Sequence, residues 1–176
     1  MKIKLFLLAL LFFARCGSVP GSYHKVPEPY SWQYRENICL DYPILNQENS
    51  IANFPSDLYV MLGWIDNHIQ KVPDVGEYWQ TSCETIERGA GDCEDLAILL
   101  WTLLKDYGLS SDSNRIAIIC NTKNKKCHQV VILYLEEAYI VDPSYVYAQR
   151  IYTIESFFAV YPSHELMVEY NLYSIW

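Results

Sequence analysis

The chain shows helical spacing of its apolar residues soon after residue 55. Residues 56–71 predict an amphipathic helix, because apolar side chains recur there every three or four positions. Ser56 is a suitable N-cap, and Pro73 ends the pattern. The apolar face of this helix comprises Leu58, Met61, Leu62, Ile65 and Ile69.

Two further helices are predicted before the pattern changes. Thr81 and Glu84 form a Thr-x-x-Glu capping box, which predicts a short helix over residues 81–88. Residues 93–107 predict the strongest helix of the chain, because apolar side chains occur almost all round it. These side chains are Leu96, Ala97, Ile98, Leu99, Leu100, Trp101, Leu103 and Leu104. Such a helix is expected at the centre of the domain.

Beyond this helix the period changes to that of strands. Short runs rich in β-branched residues predict strands, and a short helix is expected near the C-terminus. The predicted strands are residues 115–120, 127–135, 138–142 and 166–170, and the short helix is residues 156–160. Helices followed by strands indicate an α+β domain in which an antiparallel sheet packs against a core helix.

The N-terminal segment has the pattern of an export signal. Lys2 and Lys4 precede an uninterrupted apolar run over residues 5–14. Ten residues are too few to span a bilayer comfortably, so residues 1–15 are interpreted as a signal peptide. The protein is therefore expected in the periplasm or the cell envelope.

Cys16 follows this segment directly and is a candidate for lipidation, which would attach the protein to a membrane. Arg15 departs from the small residue that usually precedes a lipidated cysteine, so ordinary secretion is the alternative. Residues 16–55 are rich in Pro, Tyr, Asn and Ser and predict a tether with an irregular segment, followed by one domain over residues 56–176.

Charge and composition exclude one class of partner. The 176 residues carry a formal net charge of −8, and hydrophobic residues make up 51% of the chain. The chain has one short basic cluster, formed by Lys123, Lys125 and Lys126. This balance argues against nucleic acid as a partner and for a globular domain with a substantial core.

Six cysteines are many for a reducing compartment. If Cys16 is lipidated and Cys93 is catalytic, the remaining four are Cys39, Cys83, Cys120 and Cys127. Cys120 and Cys127 flank a polar stretch typical of a hairpin loop, so they are placed to face each other in a disulfide. Zinc binding with His128 as a further ligand is the alternative, although no CxxC pair is present.

Three residues have the distribution of a thiol catalytic site. Cys93 is the first residue of the predicted core helix, where unpaired N–H groups and the helix dipole favour a thiolate. His128 begins one predicted strand and Asp142 ends the next. If these strands pair antiparallel, the two side chains are neighbours at one edge of the sheet. The imidazole would activate the thiol, and the carboxylate would orient the imidazole.

These segments resemble a known family. Residues 91–97 (GDCEDLA) are similar to the GDCEDxA motif of bacterial transglutaminase-like cysteine proteinases, the LapG-like family. Residues 127–131 and 141–144 resemble the His and Asp motifs of the same superfamily, in the same order. The likeness covers residues 78–144 and implies a papain-like, transglutaminase-type fold.

The resemblance also implies roles for individual residues. Cys93 would be the nucleophile, His128 the general base and acid, and Asp142 the group that orients the imidazole. The backbone N–H of Cys93 would be one oxyanion donor. Gln80 and Trp79, which lie upstream of the motif, are candidates for the second donor.

The acidic residues around Cys93 have two interpretations. Asp92, Glu94 and Asp95 should raise the pKa of the thiol, and in LapG-like enzymes the equivalent residues bind Ca²⁺, which would cancel this effect. Alternatively, Asp92 caps the helix while Glu94 and Asp95 complement its dipole. No other cofactor is expected.

The function expected from the sequence is that of an exported cysteine hydrolase, a peptidase or amidase that acts on a protein or peptide through a thioester. Acyl transfer to an amine, as in a transglutaminase, uses the same intermediate and is one alternative. A non-catalytic, envelope-anchored binding protein with the same fold is another. No GxSxG, HExxH or P-loop motif supports a different chemistry.

Overall fold

The computed structural model describes residues 56–73 and 78–170. The predicted signal peptide, the tether, Cys16 and Cys39 lie outside these residues. The helices are α1 (Ser56–His68), α2 (Ser82–Arg88), α3 (Cys93–Asp106) and α4 (Ile154–Val160). The strands are β1 (Gln70–Lys71), β2 (Ala90–Gly91), β3 (Asn114–Asn121), β4 (Cys127–Tyr134), β5 (Ala138–Val141), β6 (Ile151–Thr153) and β7 (His164–Tyr170). In the described part of the chain, no helix combines the length and hydropathy needed to cross a bilayer.

Five strands form one antiparallel sheet in the order β6-β5-β4-β3-β7. The two-residue strands β1 and β2 pair separately and in parallel. Helix α1 ends at His68 and not at residue 71 as predicted. The reason is that Gln70 and Lys71 pair with β2, just before the start of α3. The expectation of an α+β domain with an antiparallel sheet is confirmed.

Helix α3 lies at the centre of the domain, as its apolar composition predicts. The six residues 96–101 expose none of their surface (0%). They pack with α1 against one face of the sheet, which presents Ile116, Val131, Leu133 and Val141. Burying each such side chain contributes about 1.5–3 kcal/mol. The indole N–H of Trp101 donates to the carbonyl of Asn114 at 2.7 Å, so its polar atom is satisfied inside the core.

The opposite face of the sheet has its own apolar cluster. Phe157 of α4 is fully buried there, together with the aromatic rings of Tyr147 and Tyr152. The sheet residues of this cluster are Ala117, Ile119, Val130, Ile132 and Ile140. Because both faces are covered, β3 and β4 are apolar on both sides.

The C-terminal boundaries differ from the predicted ones. Helix α4 begins at Ile154 instead of residue 156, and β7 begins at His164 instead of residue 166. Strand β6 is not predicted by the sequence, because three residues are too few to show an alternating pattern.

Two of the cysteine interpretations are decided by the structure. Cys120 and Cys127 lie opposite each other in β3 and β4 and form a disulfide, as predicted. The alternative of a zinc site with His128 is therefore wrong, because neither thiol is available as a ligand. Cys83 is also disulfide-bonded, whereas Cys93 retains its thiol.

Candidate active site

The entry to α3 is built by a close approach of backbone to side chain. A Cβ atom at Gly91 would lie 2.7 Å from the Cβ of Asp95, so a larger residue there would force the first turn of α3 to shift. The backbone N–H of Asp92 donates to the Asp95 carboxylate at 3.2 Å, which closes the first turn. Cys93 is buried at this point, and its Sγ donates to Oε2 of Glu94 at 3.1 Å.

Asp95 connects α3 to the segment that precedes α2. It accepts the backbone N–H of Gln80 at 2.7 Å and also bonds the Gln80 side-chain amide. The same amide nitrogen donates to the carbonyl of Ala90 at 3.4 Å. Burial raises the pKa of Asp95 to about 6, against the lowering effect of the Gln80 bonds.

This arrangement bears on the two candidate oxyanion donors. Both hydrogens of the Gln80 amide are directed to acceptors within the protein, so Gln80 positions Asp95 and has no side-chain hydrogen left for an oxyanion. Trp79 is buried and stacks on Tyr170, with 5.6 Å between ring centroids. The hydroxyl of Tyr170 in turn donates to Gln129 at 2.7 Å.

Glu94 and Asp92 form a pair of neighbouring carboxyl groups. Burial raises the pKa of Glu94 well above its ordinary range, and the hydrogen bond and charge of Asp92 raise it further. Two carboxyl groups this close share one proton more readily than they carry two negative charges. The negative charge beside Cys93 is thus smaller than a count of acidic residues suggests.

His128 and Asp142 are brought together by the register of two strands. In the antiparallel pair, Val141 at the end of β5 lies opposite Val131, three residues after His128 in β4. Asp142 continues from Val141 toward the start of β4, and its Oδ1 is 2.9 Å from Nε2 of His128. Both side chains are buried, at 6% and 0% exposure, which strengthens a bond between charged partners.

The Asp142 carboxylate is held by a cradle of hydrogen-bond donors in the turn that follows it. Ser144 donates its backbone N–H at 3.0 Å and its hydroxyl at 3.2 Å to Oδ1. Val146 and Tyr147 donate backbone N–H groups to Oδ2 at 2.5 Å and 3.1 Å. Burial pushes the pKa of Asp142 upward, but His128 and these donors hold it below its ordinary value.

Tyr147 packs beside the imidazole of His128, and the sequence did not identify it. The edge of its ring packs against His128, with 5.4 Å between ring centroids. Burial raises the pKa of Tyr147, and the neighbouring charge of Asp142 raises it further. The one sequence signal was its place five residues after Asp142, in the turn opened by Pro143.

Comparison with known proteins addresses the fold. No protein-family model matches the sequence. No curated protein matches it. Among solved structures, calcium-bound LapG of Legionella pneumophila matches with a TM-score of 0.58 and 21% identity, over 83% of this chain and 75% of that one. EGTA-treated LapG gives the same TM-score and identity, over 73% of its own chain.

The chain has the transglutaminase-like fold of LapG. The fold implied by the GDCEDLA resemblance is thereby confirmed. In this chain α3 begins at Cys93, His128 is the second residue of β4, and Asp142 directly follows the last residue of β5.

The carboxylates near Cys93 are the candidate metal ligands. Within residues 56–73 and 78–170, no three His, Cys, Asp or Glu side chains are grouped so as to hold a metal ion. Asp95 is engaged on both oxygens by N–H donors from Gln80 and Asp92. Asp92 and Glu94, which hydrogen-bond each other, are the two neighbouring carboxyl groups whose oxygens suit a hard cation such as Ca²⁺.

Proposed function

We propose that the protein is an exported cysteine hydrolase, a peptidase or amidase in which Cys93, His128 and Asp142 form the catalytic triad. The observation that carries this proposal is the buried 2.9 Å bond between His128 and Asp142, with the Asp142 carboxylate fixed by the turn that follows it. An imidazole oriented in this way is what a thiol nucleophile requires.

The reaction proceeds through a thioester. His128 takes the proton of the Cys93 thiol, and the thiolate attacks the carbonyl carbon of the scissile amide. A C–S bond forms, and the carbonyl oxygen becomes an oxyanion that accepts the backbone N–H of Cys93. His128 then gives its proton to the amine nitrogen as the C–N bond breaks.

Hydrolysis restores the enzyme. His128 takes a proton from water as the oxygen attacks the thioester, and the C–S bond breaks to release a carboxylic acid and the thiolate. Asp142 stabilises the imidazolium in both halves of the cycle and stays ionised throughout, in keeping with the lowered pKa of its carboxyl group.

Calcium is proposed as an auxiliary ion, held by Asp92 and Glu94. When bound, it would neutralise carboxylate charge beside the thiol and compete for the Glu94 oxygen that now accepts the Cys93 S–H. Adding CaCl₂ should raise the Tm of the protein, and EDTA should reverse the effect. Glu94→Gln should remove the response, whereas the exposed control Glu155→Gln should keep it.

Thiol alkylation tests the triad directly. With iodoacetamide near neutral pH, Cys93 should be alkylated rapidly, and His128→Ala should slow the reaction by about 10²-fold. Mass spectrometry of the labelled peptide identifies the site, and Cys83, Cys120 and Cys127 should stay unlabelled because they are disulfide-bonded. The matched control is His68→Ala, which alters an exposed histidine of α1.

The same experiment separates this proposal from its alternatives. Equal and slow alkylation of wild type and His128→Ala would favour a binding protein that only shares the fold. If Cys93 is reactive, product analysis with an added primary amine decides between the two reactions. A carboxylic acid product indicates hydrolysis, and incorporated amine indicates acyl transfer.

Export is proposed from the first sixteen residues and from cysteine chemistry. The Cys120–Cys127 disulfide is of the kind that persists in oxidising compartments. The intact mass of the mature protein, isolated from the envelope fraction, tests the leader prediction. Loss of residues 1–15 with a lipid on Cys16 would indicate anchoring, and a later cleavage site without lipid would indicate ordinary secretion.

A further inference from the structure

A basic loop stands at the end of the sheet that bears the His128–Asp142 pair. It joins β3 to β4 over residues 122–126 and contains three lysines and no acidic residue. All three lysines, Lys123, Lys125 and Lys126, are exposed. Because β4 starts at Cys127, the loop ends at Lys126, two residues before His128.

The loop is fixed in shape. The disulfide between Cys120 and Cys127 closes its base, and the side chain of Asn121 accepts the backbone N–H of Lys123 at 2.9 Å. Lys125 has a φ of 59°, a left-handed conformation that is costly for a long side chain. Its backbone N–H donates to the carbonyl of Asn121 at 2.8 Å, which helps to hold it there.

The positive charge of the loop is left available. Within the part of the chain that the structure describes, none of these three ammonium groups forms an ion pair with a carboxylate. The chain as a whole carries a formal net charge of −8, so this loop is a local positive field on an acidic protein. Such a field attracts negative ligands to the adjacent site.

We propose that the basic loop is a docking site for an acidic stretch of the protein substrate, next to the scissile bond. This inference rests on the proposed function. Lysines present compact charges rather than the planar forks of arginine, which suits steering of flexible carboxylates more than tight recognition of phosphate.

An anionic membrane is the other surface that lysines attract, and the observations favour it less. Lysine and arginine clusters that bind anionic lipids usually number four to eight residues. The loop has three, on a chain whose net charge of −8 is repelled by such a membrane. Its position beside His128 is explained by a substrate and not by a lipid surface.

Two peptide chloromethyl ketones provide the test. They share the residues next to the reactive group and differ in an N-terminal tail of either four glutamates or four glutamines. At low ionic strength the full-length protein should be alkylated at Cys93 about tenfold faster by the acidic probe, and salt should abolish the difference. The triple variant K123Q/K125Q/K126Q should react equally with both probes.

A matched pair of single variants controls for net charge. Lys126→Gln should reduce the preference for the acidic probe by about twofold. Lys105→Gln removes the same charge from the far end of α3, where Lys105 lies over the Trp101 ring, and should leave the preference unchanged. Equal loss in both variants would overturn the docking site in favour of a general charge effect.

Binding without chemistry separates this inference from the proposed function. A fluorescent decapeptide of glutamate and glycine should bind Cys93→Ala, and the triple lysine substitution in that background should weaken binding about tenfold. Failure of Cys93 to react with any probe would refute the triad and leave this result standing. Absence of peptide binding would overturn the docking site, as would lysine-dependent binding to phosphatidylserine vesicles alone.

Discussion

At the residue scale, the Asp142 side chain has two roles. As an Asp before Pro143, it opens a turn by accepting backbone N–H groups, which is an ordinary role for this residue type. The same carboxylate bonds His128 at 2.9 Å. The turn donors fix the carboxylate and keep it ionised, so the structural role supports the proposed catalytic one.

The acid stability of the fold should depend on Asp142. Its pKa is lower in the folded state than its ordinary value of 3.8, so on acidification the unfolded chain takes up this proton first. The stabilisation is therefore complete above that ordinary value and is lost as the pH falls through the folded-state pKa. Asp142→Asn should flatten this part of the pH profile of the unfolding free energy, measured by urea denaturation.

The exposed carboxylate Asp112 provides the comparison for this measurement. Asp112→Asn should keep the wild-type dependence on pH in the acid range. If Asp142→Asn and Asp112→Asn gave the same profile as wild type, the bond between Asp142 and His128 would not contribute to stability in the way proposed here.

At the element scale, the entry to α3 depends on the contact between Gly91 and Asp95. Strand β2 brings Gly91 against the first turn of the helix, and Asp95 there holds Gln80. The GDCED sequence is thus in part a packing motif, because its glycine and its second aspartate must touch. Cys93 is positioned by this contact as well as by the helix itself.

Gly91→Ala should destabilise the protein by about 1–3 kcal/mol, since the new Cβ would lie 2.7 Å from Asp95. The alkylation rate of Cys93 should fall with it, because the helix entry must shift. Chemical denaturation and iodoacetamide labelling measure the two effects.

Gly63 is a suitable control because it lies in α1, and a Cβ added there would meet no neighbouring atom within 4 Å. Gly63→Ala should stabilise the protein by about 0.5–1 kcal/mol through helix propensity, without changing Cys93 reactivity. A neutral Gly91→Ala variant would show that the helix entry adjusts at no cost.

At the scale of the whole molecule, Arg150 connects the helical layer to the end of the sheet. Its guanidinium bonds Asp66 and the carbonyl of Leu62 in α1, and its Nε donates to the carbonyl of Asp142 at 3.2 Å. It also bonds the carbonyl of Pro143. The turn that holds the Asp142 carboxylate is therefore tied to α1 through one side chain.

Arg150→Ala should lower the unfolding free energy by about 2–4 kcal/mol, because it leaves several acceptors unsatisfied at once. It should also slow alkylation of Cys93, since the Asp142 turn loses its anchor. Arg88→Ala, which removes an exposed arginine of α2, is expected to change neither quantity appreciably. If Arg150→Ala left the alkylation rate of Cys93 unchanged, Arg150 would contribute to stability and not to the reactivity of the thiol.

Residue order alone was enough to predict the main elements and the residues worth testing. The apolar composition of α3, the β-branched runs of β3 and β4, the hairpin position of the disulfide and the GDCEDLA motif are local patterns, and local patterns are read directly along the chain. They were sufficient for the fold class and for the pairing of His128 with Asp142, which requires only that neighbouring strands be antiparallel.

Contacts between distant segments were decided by the folded arrangement. The engagement of Gln80 with Asp95, the packing of Tyr147 against His128 and the anchor at Arg150 join residues whose spacing has no repeating pattern. In β4, His128 alternates onto the same face as Val130 and Ile132, which pack in the α4 cluster, whereas α3 packs on the other face of the sheet. Close packing of layers fixes such contacts, and the order of residues along the chain does not encode them locally.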